Sequence, residues 1–527
     1  MARLFLGLDA STQSLSAIVI DGDARDVVYE CSLSFDDALP SYGTTNGVLR
    51  NPDPKVIHSP PLMWVEALDL TFRQMRDDGV DLGSILAVSG SGQQHGSVYM
   101  NASAPEALAG LAAADSLAEA LSGVFSRPTS PIWMDSSTTA ECHEIMDALG
   151  GPAATAEATG SAAFERFTGP QIRKFYKADA EAYGRTAHVA LVSSFMASIL
   201  AGRIAPIDHG DGAGMNLMDI ERKRWHPGAL DATAPGLAKR LPELVPSASV
   251  IGAVSPYFVE NYGLNPAARA VAWSGDNPNS LIGVGLVGPA MVAISLGTSD
   301  TYFGFMAECH TDPHGEGHVF GAPTGDYMTL ICFKNGSLAR EAVRDTYGLD
   351  WDGFSEALRS TPPGNGGAVM LPYFEPEIVP KVLEPGVQRF GLQEDDAAAN
   401  CRAVVEAQMM SMRIHSGWMG VRPKEIYATG GASENPEILR IMADVHRCPV
   451  YRFEVSNSAA LGAALRAAQA QMAEGGEAPA WQDVVAGFAE PVSGSRIEPD
   501  PAAAAVYDEM VEVYAQHERE SIAPRPS

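Results

Sequence analysis

Asp211 stands in the segment HGDGAGM, among three glycines. A carboxylate so placed can approach a substrate hydroxyl and take its proton as a general base. A turn aspartate would look the same, and on spacing alone that is the simpler reading. His95, in GSGQQHGS, could hydrogen-bond a hydroxylated ligand or serve as a structural histidine. Asp276 and Asn277 close a strand, where binding residues gather in α/β proteins, or form an Asx turn. Two small-residue turns, Ala10-Ser11-Thr12-Gln13-Ser14 and Leu296-Gly297-Thr298-Ser299, offer N–H groups and hydroxyls that hold phosphate without Lys or Arg. Either turn alone is adequately explained as a hairpin turn; the pair together favours the phosphate reading. In TGGASENP, Gly430 and Gly431 would let a base or ribose lie against the backbone, with Asn435 as an N-cap before Pro436. A plain strand-to-helix turn explains that segment equally well.

These groups need a scaffold, and the apolar pattern supplies one. Strands are predicted at Leu4 to Leu8 and Ala17 to Ile20, at Ile85 to Val88, and over 269–274. A second strand–turn–strand follows at Met291 to Ser295 and Thr301 to Phe305, then strands at Glu425 to Ala428 and Pro449 to Phe453. Helices are predicted over 61–78, where Val65, Leu68, Phe72 and Met75 share a face and Gly79 stops the run. Others are predicted over 102–124, 184–204 (ending at Gly202), 436–445 and about 501–517, with the tail SIAPRPS frayed. HGDGAGMN is read as a Gly-rich loop. GLDASTQSLSAIVID and ISLGTSDTYFGF are the same kind of element at corresponding ends of two halves, an internal duplication with its boundary between Gly283 and Pro289.

Several familiar motifs fail on context. Gly283, Gly285 and Gly288 spell GxGxxG, but a helix-like segment precedes it and Pro289 follows, the reverse of a dinucleotide fingerprint. His310, His314 and His318 recur every four residues, yet Pro313 and two glycines break any helix, so no metal site is read there. Met409, Met410 and Met412 read as core.

The chain has 527 residues, with 36 Lys plus Arg against 65 Asp plus Glu, a net charge of −29. No basic run suits nucleic acid or an anionic membrane surface. A phosphate ligand would be repelled at long range, but only within a screening length of about 8–10 Å. Six scattered cysteines without a CxxC pair fit a reducing compartment, and no signal peptide or membrane span is read, so cytoplasm is the expectation.

The ordered set GLDASTQS, SGSGQQHG, WMDSST, ERFTG, GDGAG, SGDNPNS, SLGTSD and ATGGASENPEIL resembles the FGGY carbohydrate kinases, and within them the xylulose kinases of the animal-type branch, from residue 3 to about 470. The resemblance implies an α/β fold of two ribonuclease-H-like (actin-like ATPase) domains around a central cleft. It implies an N-terminal, sugar-binding domain over 1–285, a C-terminal, ATP-binding domain over 290–475 and a C-terminal extension over 476–527. It makes Asp211 the catalytic base and His95, Arg166, Asp276 and Asn277 the sugar contacts. Ser11, Thr12, Gly297, Thr298, Trp351, Gly430, Gly431, Ala432 and Asn435 would contact ATP, and Asp9 would serve Mg²⁺. Trp133-Met134-Asp135-Ser136 departs from the Trp-Asn-Asp-Arg of many bacterial members, so Asp135 is given no sugar contact. Lys334 is read as a surface lysine. The implied reaction is phosphorylation of D-xylulose at O5. The alternatives are a kinase of another pentulose or polyol, such as ribulose, and a non-catalytic nucleotide-gated binding protein of the same fold. The expected partners are the sugar and ATP, and the oligomeric state stays open, a homodimer included.

Overall fold

In the computed structural model, which describes residues 3–454, 457–477 and 479–522, GLDASTQSLSAIVID forms the antiparallel pair Leu4–Ala10 and Ser14–Asp21. Every residue of Leu4–Ala10 is buried, which is why the strand is apolar from Leu4 to Leu8 rather than alternating. Across the sheet the order is Val250–Ala253, Arg269–Val271, Ile85–Gly92, Leu4–Ala10, Ser14–Asp21, Asp26–Ser34. Ile85–Gly92 runs parallel to Leu4–Ala10 and to Ser274–Gly275, so Asp9 lies beside Ser91 and Ser274 beside Ser91. The carboxyl ends of three strands therefore converge, the place where open α/β sheets bind ligands.

The second sheet repeats this plan. Met291–Leu296 pairs antiparallel with Asp300–Met306 and parallel with Glu425–Thr429, which pairs with Val450–Arg452. The duplicated hairpin of the sequence is thus a duplicated sheet motif. Met409, Met410 and Met412 are buried on the helix Ala397–His415, as core.

The chain divides into two units, Met1–Val287 with Val319–Met328 and Val455–Glu490, and Gly288–His318 with Thr329–Glu454 and Pro491–Ser527. By packing, residues 455–490 of the expected stretches 290–475 and 476–527 group with the first unit. The helix Ser458–Glu474 belongs to the first unit, where its small residues let it sit on the backbone of Leu4–Ala10. A Cβ on Gly7 would lie 2.0 Å from the Ala460 carbonyl oxygen, and one on Gly462 1.9 Å from that of Asn279. We expect Gly462→Ala to push the helix off its neighbours and cost about 1–3 kcal/mol. Chemical denaturation of the variant checks this, and an unchanged midpoint would contradict it. Arg466, fully buried on the same helix, donates to Asn279 Oδ1 at 2.9 Å and to the Ala272 carbonyl at 2.8 Å.

The helix Pro61–Asp77 buries Val65, Leu68, Phe72 and Met75 as predicted. The helix expected over 184–204 is interrupted. The helix Ala180–Arg185 ends first, His188–Leu191 is a strand paired with Ser97–Met100, and Val192–Ala201 is the helix that stops at Gly202. The Ala-rich segment 102–124 breaks into the short helices Ala104–Ala109 and Leu117–Leu121. The last helix runs to Ile522, so Ser521 and Ile522 of the SIAPRPS segment are helical, and its remaining residues lie outside the described ones. Among the described residues no helix is long and apolar enough to cross a membrane.

Candidate active site

In the first unit the strand ends bring a pair of carboxylates together. Asp9, on Leu4–Ala10, accepts a 2.6 Å hydrogen bond from Ser91 Oγ. Burial pushes its carboxyl up to about 6, against that hydrogen bond. Asp276 opens the helix Asp276–Gly283 directly after the strand Ser274–Gly275. Its Oδ1 accepts from the N–H groups of Asn277 (2.8 Å) and Gln94 (3.3 Å). Burial, and then repulsion by Asp9, push Asp276 up to about 7, against those two N–H groups. Yet Asp276 keeps surface exposure, as does Asn277. A partly exposed carboxylate poised near neutrality, at the carboxyl end of a parallel strand, has the attributes of a general base.

Asp211 differs on each count. It does not stand on a Gly-rich loop. It lies in the short helix His209–Ala213, capped by Asp208 Oδ1, which accepts from the Asp211 N–H at 2.8 Å. It is 1% exposed. Its Oδ2 accepts from Ser193 Oγ, and its Oδ1 lies 3.0 Å from the position a Cβ on Gly275 would take. Burial pushes its carboxyl well above the ordinary range, against the Ser193 hydrogen bond. Asp211 therefore lies beside Gly275, the residue before Asp276, and is more deeply buried than Asp276. This geometry favours Asp276 over the expected Asp211 as the base.

His95 is placed with the carboxylates. Its backbone is left-handed (φ 72), its ring Nδ1 lies 2.8 Å from the Gly214 carbonyl, and the ring packs on Phe167 with centroids 4.5 Å apart. Such a backbone is costly for a non-glycine residue and typical of ligand sites. Thr168 Oγ1 donates to the His95 carbonyl at 2.9 Å, which ties the segment of Arg166 to this site. The Arg166 guanidinium lies over the Phe164 ring at 4.6 Å, and its Nε is buried without a hydrogen-bond partner.

The first small-residue turn is partly committed to itself. The Ser11 N–H and Oγ both donate to the Ser14 carbonyl at 3.0 Å, so Ser11 shapes the turn instead of offering those donors to a phosphate. Thr12 Oγ1 accepts from Trp133 Nε1 at 2.8 Å. Asp135 is 1% exposed and accepts from Ile57 N–H (3.0 Å), Ser137 N–H (3.0 Å) and Gln171 Nε2 (2.8 Å). Against the upward push of burial, hydrogen bonds from His58, Ser137 and Gln171 hold its carboxyl far below the ordinary range. Its carboxylate thus ties together the segments of Ile57, Ser137 and Gln171.

In the second unit an open crevice of about 720 Å³ is lined by Gly297, Thr298, Trp351, Gly431, Ala432 and Asn435 among others. Gly430 stands beside it with φ 82, and a Cβ there would meet the Leu296 carbonyl oxygen at 2.6 Å. Only glycine lets the ends of two parallel strands close so tightly. Trp351 is 41% exposed, with the Arg344 guanidinium 4.4 Å from its ring centre. Asn435 lines the crevice, but its side chain is engaged: Oδ1 accepts from Glu437 and Ile438 N–H groups and Nδ2 donates to Ser355 Oγ at 2.9 Å. Lys334 is partly exposed, and its backbone N–H donates to Glu377 Oε1 at 2.6 Å.

Sequence reasoning missed what lies beneath this crevice. Arg340 and Asp300 form a two-pronged ion pair at 2.8 and 2.9 Å, 0% and 1% exposed. Arg340 also donates to Ser337 Oγ at 3.1 Å, and the Ser337 N–H donates to the Gly297 carbonyl at 2.8 Å. The turn of Gly297 and Thr298 is thereby braced from below. Gln94, between Asn277 and His95, was missed as well.

Hard carboxylate oxygens at Asp9 suit a divalent cation such as Mg²⁺. Among the described residues no group of three or more acidic, His or Cys side chains encloses a metal. The fit is that of a cation held by one or two carboxylates together with phosphate and water oxygens.

Family models for the FGGY family of carbohydrate kinases match the chain, the N-terminal domain over residues 129–283 and the C-terminal domain over 292–471. Xylulose kinase from Rattus norvegicus is 44% identical over 528 residues, covering 98% of this chain and 97% of the rat protein. Xylulose kinase 2 of Arabidopsis thaliana is 46% identical over 486 residues, covering 88% of this chain and 87% of the plant protein. The crystal structure of xylulose kinase from Rhodospirillum rubrum matches with a TM-score of 0.82 at 21% identity, covering 99% of each chain. Plasmodium falciparum glycerol kinase with ADP matches with a TM-score of 0.75 at 14% identity, covering 98% of each chain. At such identities the two structures speak for the fold.

Proposed function

The chain belongs to the FGGY family of carbohydrate kinases, and from that premise we propose that it transfers the γ-phosphoryl group of ATP to O5 of D-xylulose, giving D-xylulose 5-phosphate and ADP. The observation that carries the substrate assignment is identity of 43–46% to xylulose kinases over most of the chain. The geometry supports a mechanism. The carboxylate of Asp276 takes the O5 proton as O5 forms its bond to the γ-phosphorus. The bond from that phosphorus to the bridging oxygen breaks, and ADP leaves with the electron pair. His95, Arg166 and Asn277 hold the sugar's hydroxyls. Asp9 would hold Mg²⁺, which supplies charge neutralisation on the phosphates when bound. Neither the sugar nor the turn N–H groups need a basic surface, so the net charge of −29 is no obstacle.

Asp211 is assigned a supporting place in the site, because it is 1% exposed and its Oδ2 accepts from Ser193 Oγ. Gly297, Thr298, Gly431, Ala432 and the exposed Trp351 ring are the nucleotide contacts, with Asn435 holding the crevice wall. We expect Trp351→Ala to raise the KM for ATP about 2- to 13-fold, the value of one aromatic stacking contact, with the KM for the sugar unchanged. None of the six cysteines forms a disulfide, which fits a cytoplasmic setting. The deciding experiment is ADP release across D-xylulose, D-ribulose and glycerol. Greater kcat/KM for either of the latter would overturn the substrate, and sugar-independent nucleotide binding without turnover would favour the binding-protein alternative.

A further inference from the structure

We infer that Gln94 is a specificity-determining residue of the sugar site, its side-chain N–H donating to one hydroxyl of the bound sugar. This rests on the carbohydrate-kinase reading of the site and names a contact within it. Gln94 is 2% exposed and lies at the centre of the groups assigned to the sugar. Its backbone N–H donates to Asp276 Oδ1, and its side-chain Oε1 accepts from Asn277 Nδ2 at 2.8 Å. That second bond settles which end of the amide is which: an acceptor must face Asn277, so the NH₂ faces away from it. There Nε2 is buried with no hydrogen-bond partner. A buried amide donor left unmade is expensive, and a folded protein keeps one where a ligand completes it.

The surroundings support this. A Cβ on Gly214 would lie 3.0 Å from Gln94 Nε2 and 2.9 Å from His95 Nδ1. A Cβ on Gly275 would lie 3.0 Å from both Gln94 Cγ and Asp211 Oδ1. Gly214 has φ −68 and Gly275 φ −69, so neither backbone conformation requires glycine. What the two residues provide is room beside the amide. Asp211 Oδ1, on the same side of Gly275, is also buried without a partner. A donor and an acceptor lie open around one small space, and a hydroxyl, which both donates and accepts, is the group that fits. The ligand class is therefore a polyhydroxylated carbon chain, and Gln94 selects for a hydroxyl at one carbon of it.

The test is kcat/KM of the full chain and of Gln94→Met, measured on D-xylulose and on analogues lacking the hydroxyl at C1, C3 or C4. Gln94→Met is expected to lose about 10- to 100-fold on D-xylulose, with the KM for ATP unchanged. Against one analogue, the one lacking the hydroxyl that Gln94 serves, variant and parent should agree within about twofold. An equal loss on every analogue would overturn the inference, since that is what a purely structural role through Asn277 gives; so would no loss on D-xylulose. Gln94→Glu, which keeps the acceptor toward Asn277 and removes the donor, must reproduce the pattern if Gln94→Met folds poorly. A parent enzyme that ignores D-xylulose but turns over another pentulose would sink the substrate assignment instead, and the same comparison on deoxy analogues of that sugar would still decide Gln94.

Discussion

Asp276→Asn is expected to lower kcat for D-xylulose by about 10²–10⁴-fold while leaving the melting temperature close to that of the parent, the loss general-base catalysis ordinarily accounts for. The amide keeps the shape and can still accept from the Asn277 N–H, but it cannot take the O5 proton. The contrast with Asp211 makes the result diagnostic. Asp211→Asn removes a buried carboxylate that accepts from Ser193, so it should cost stability before it costs the chemical step. If Asp211→Asn abolished turnover with folding intact while Asp276→Asn did not, the assignments would have to be exchanged. The pH dependence points the same way. A base works only when ionised, and Asp276 is pushed up to about 7 by burial and by Asp9. kcat/KM should therefore be level above that pH and fall tenfold per pH unit below it, and Asp276→Asn should lose the acid limb.

The second large effect concerns Arg340→Leu. Removing one partner of a buried ion pair strands the other charge, and about 3–5 kcal/mol of stability goes with it. Burial pushes Asp300 upward and the Arg340 guanidinium counters it, so without Arg340 the carboxylate must protonate or the fold must open. Replacing both partners, Asp300→Leu with Arg340→Leu, strands nothing and should recover most of the loss. Urea denaturation of the parent and the two variants distinguishes the cases; a double variant no more stable than the single one would rule out the ion pair as the brace. Because Arg340 reaches Gly297 through Ser337, the KM for ATP should rise in the single variant even below its unfolding range.

What the sequence made legible follows from period and order. The paired hairpins, the strand before Asp276 and the turn at Gly430 are set by local apolar runs and glycines, and each lies where it was read. Burial was not legible. Asp211 and Asp276 are both aspartates next to glycines, and only the fold decides that one is more deeply buried than the other. His188–Leu191 looks helical in a window of helix formers; its pairing with Ser97–Met100, distant in sequence, made it a strand. Arg340 and Arg466 read as solvent-facing residues because most arginines are, whereas here one braces a turn and the other fills the gap between a helix and a sheet.

The helix Ser458–Glu474 lies on the strand that begins at Leu4, and this orders events on the ribosome. The sheet that is synthesised first lacks the helix covering one of its faces until nearly the whole chain has emerged. The second unit's sheet strands and crevice residues lie before that helix in the chain, so they are complete before the first unit can close. The first unit's sheet thus waits for a segment made after the second sheet, and its apolar face is in the meantime a surface for chaperones or for aggregation.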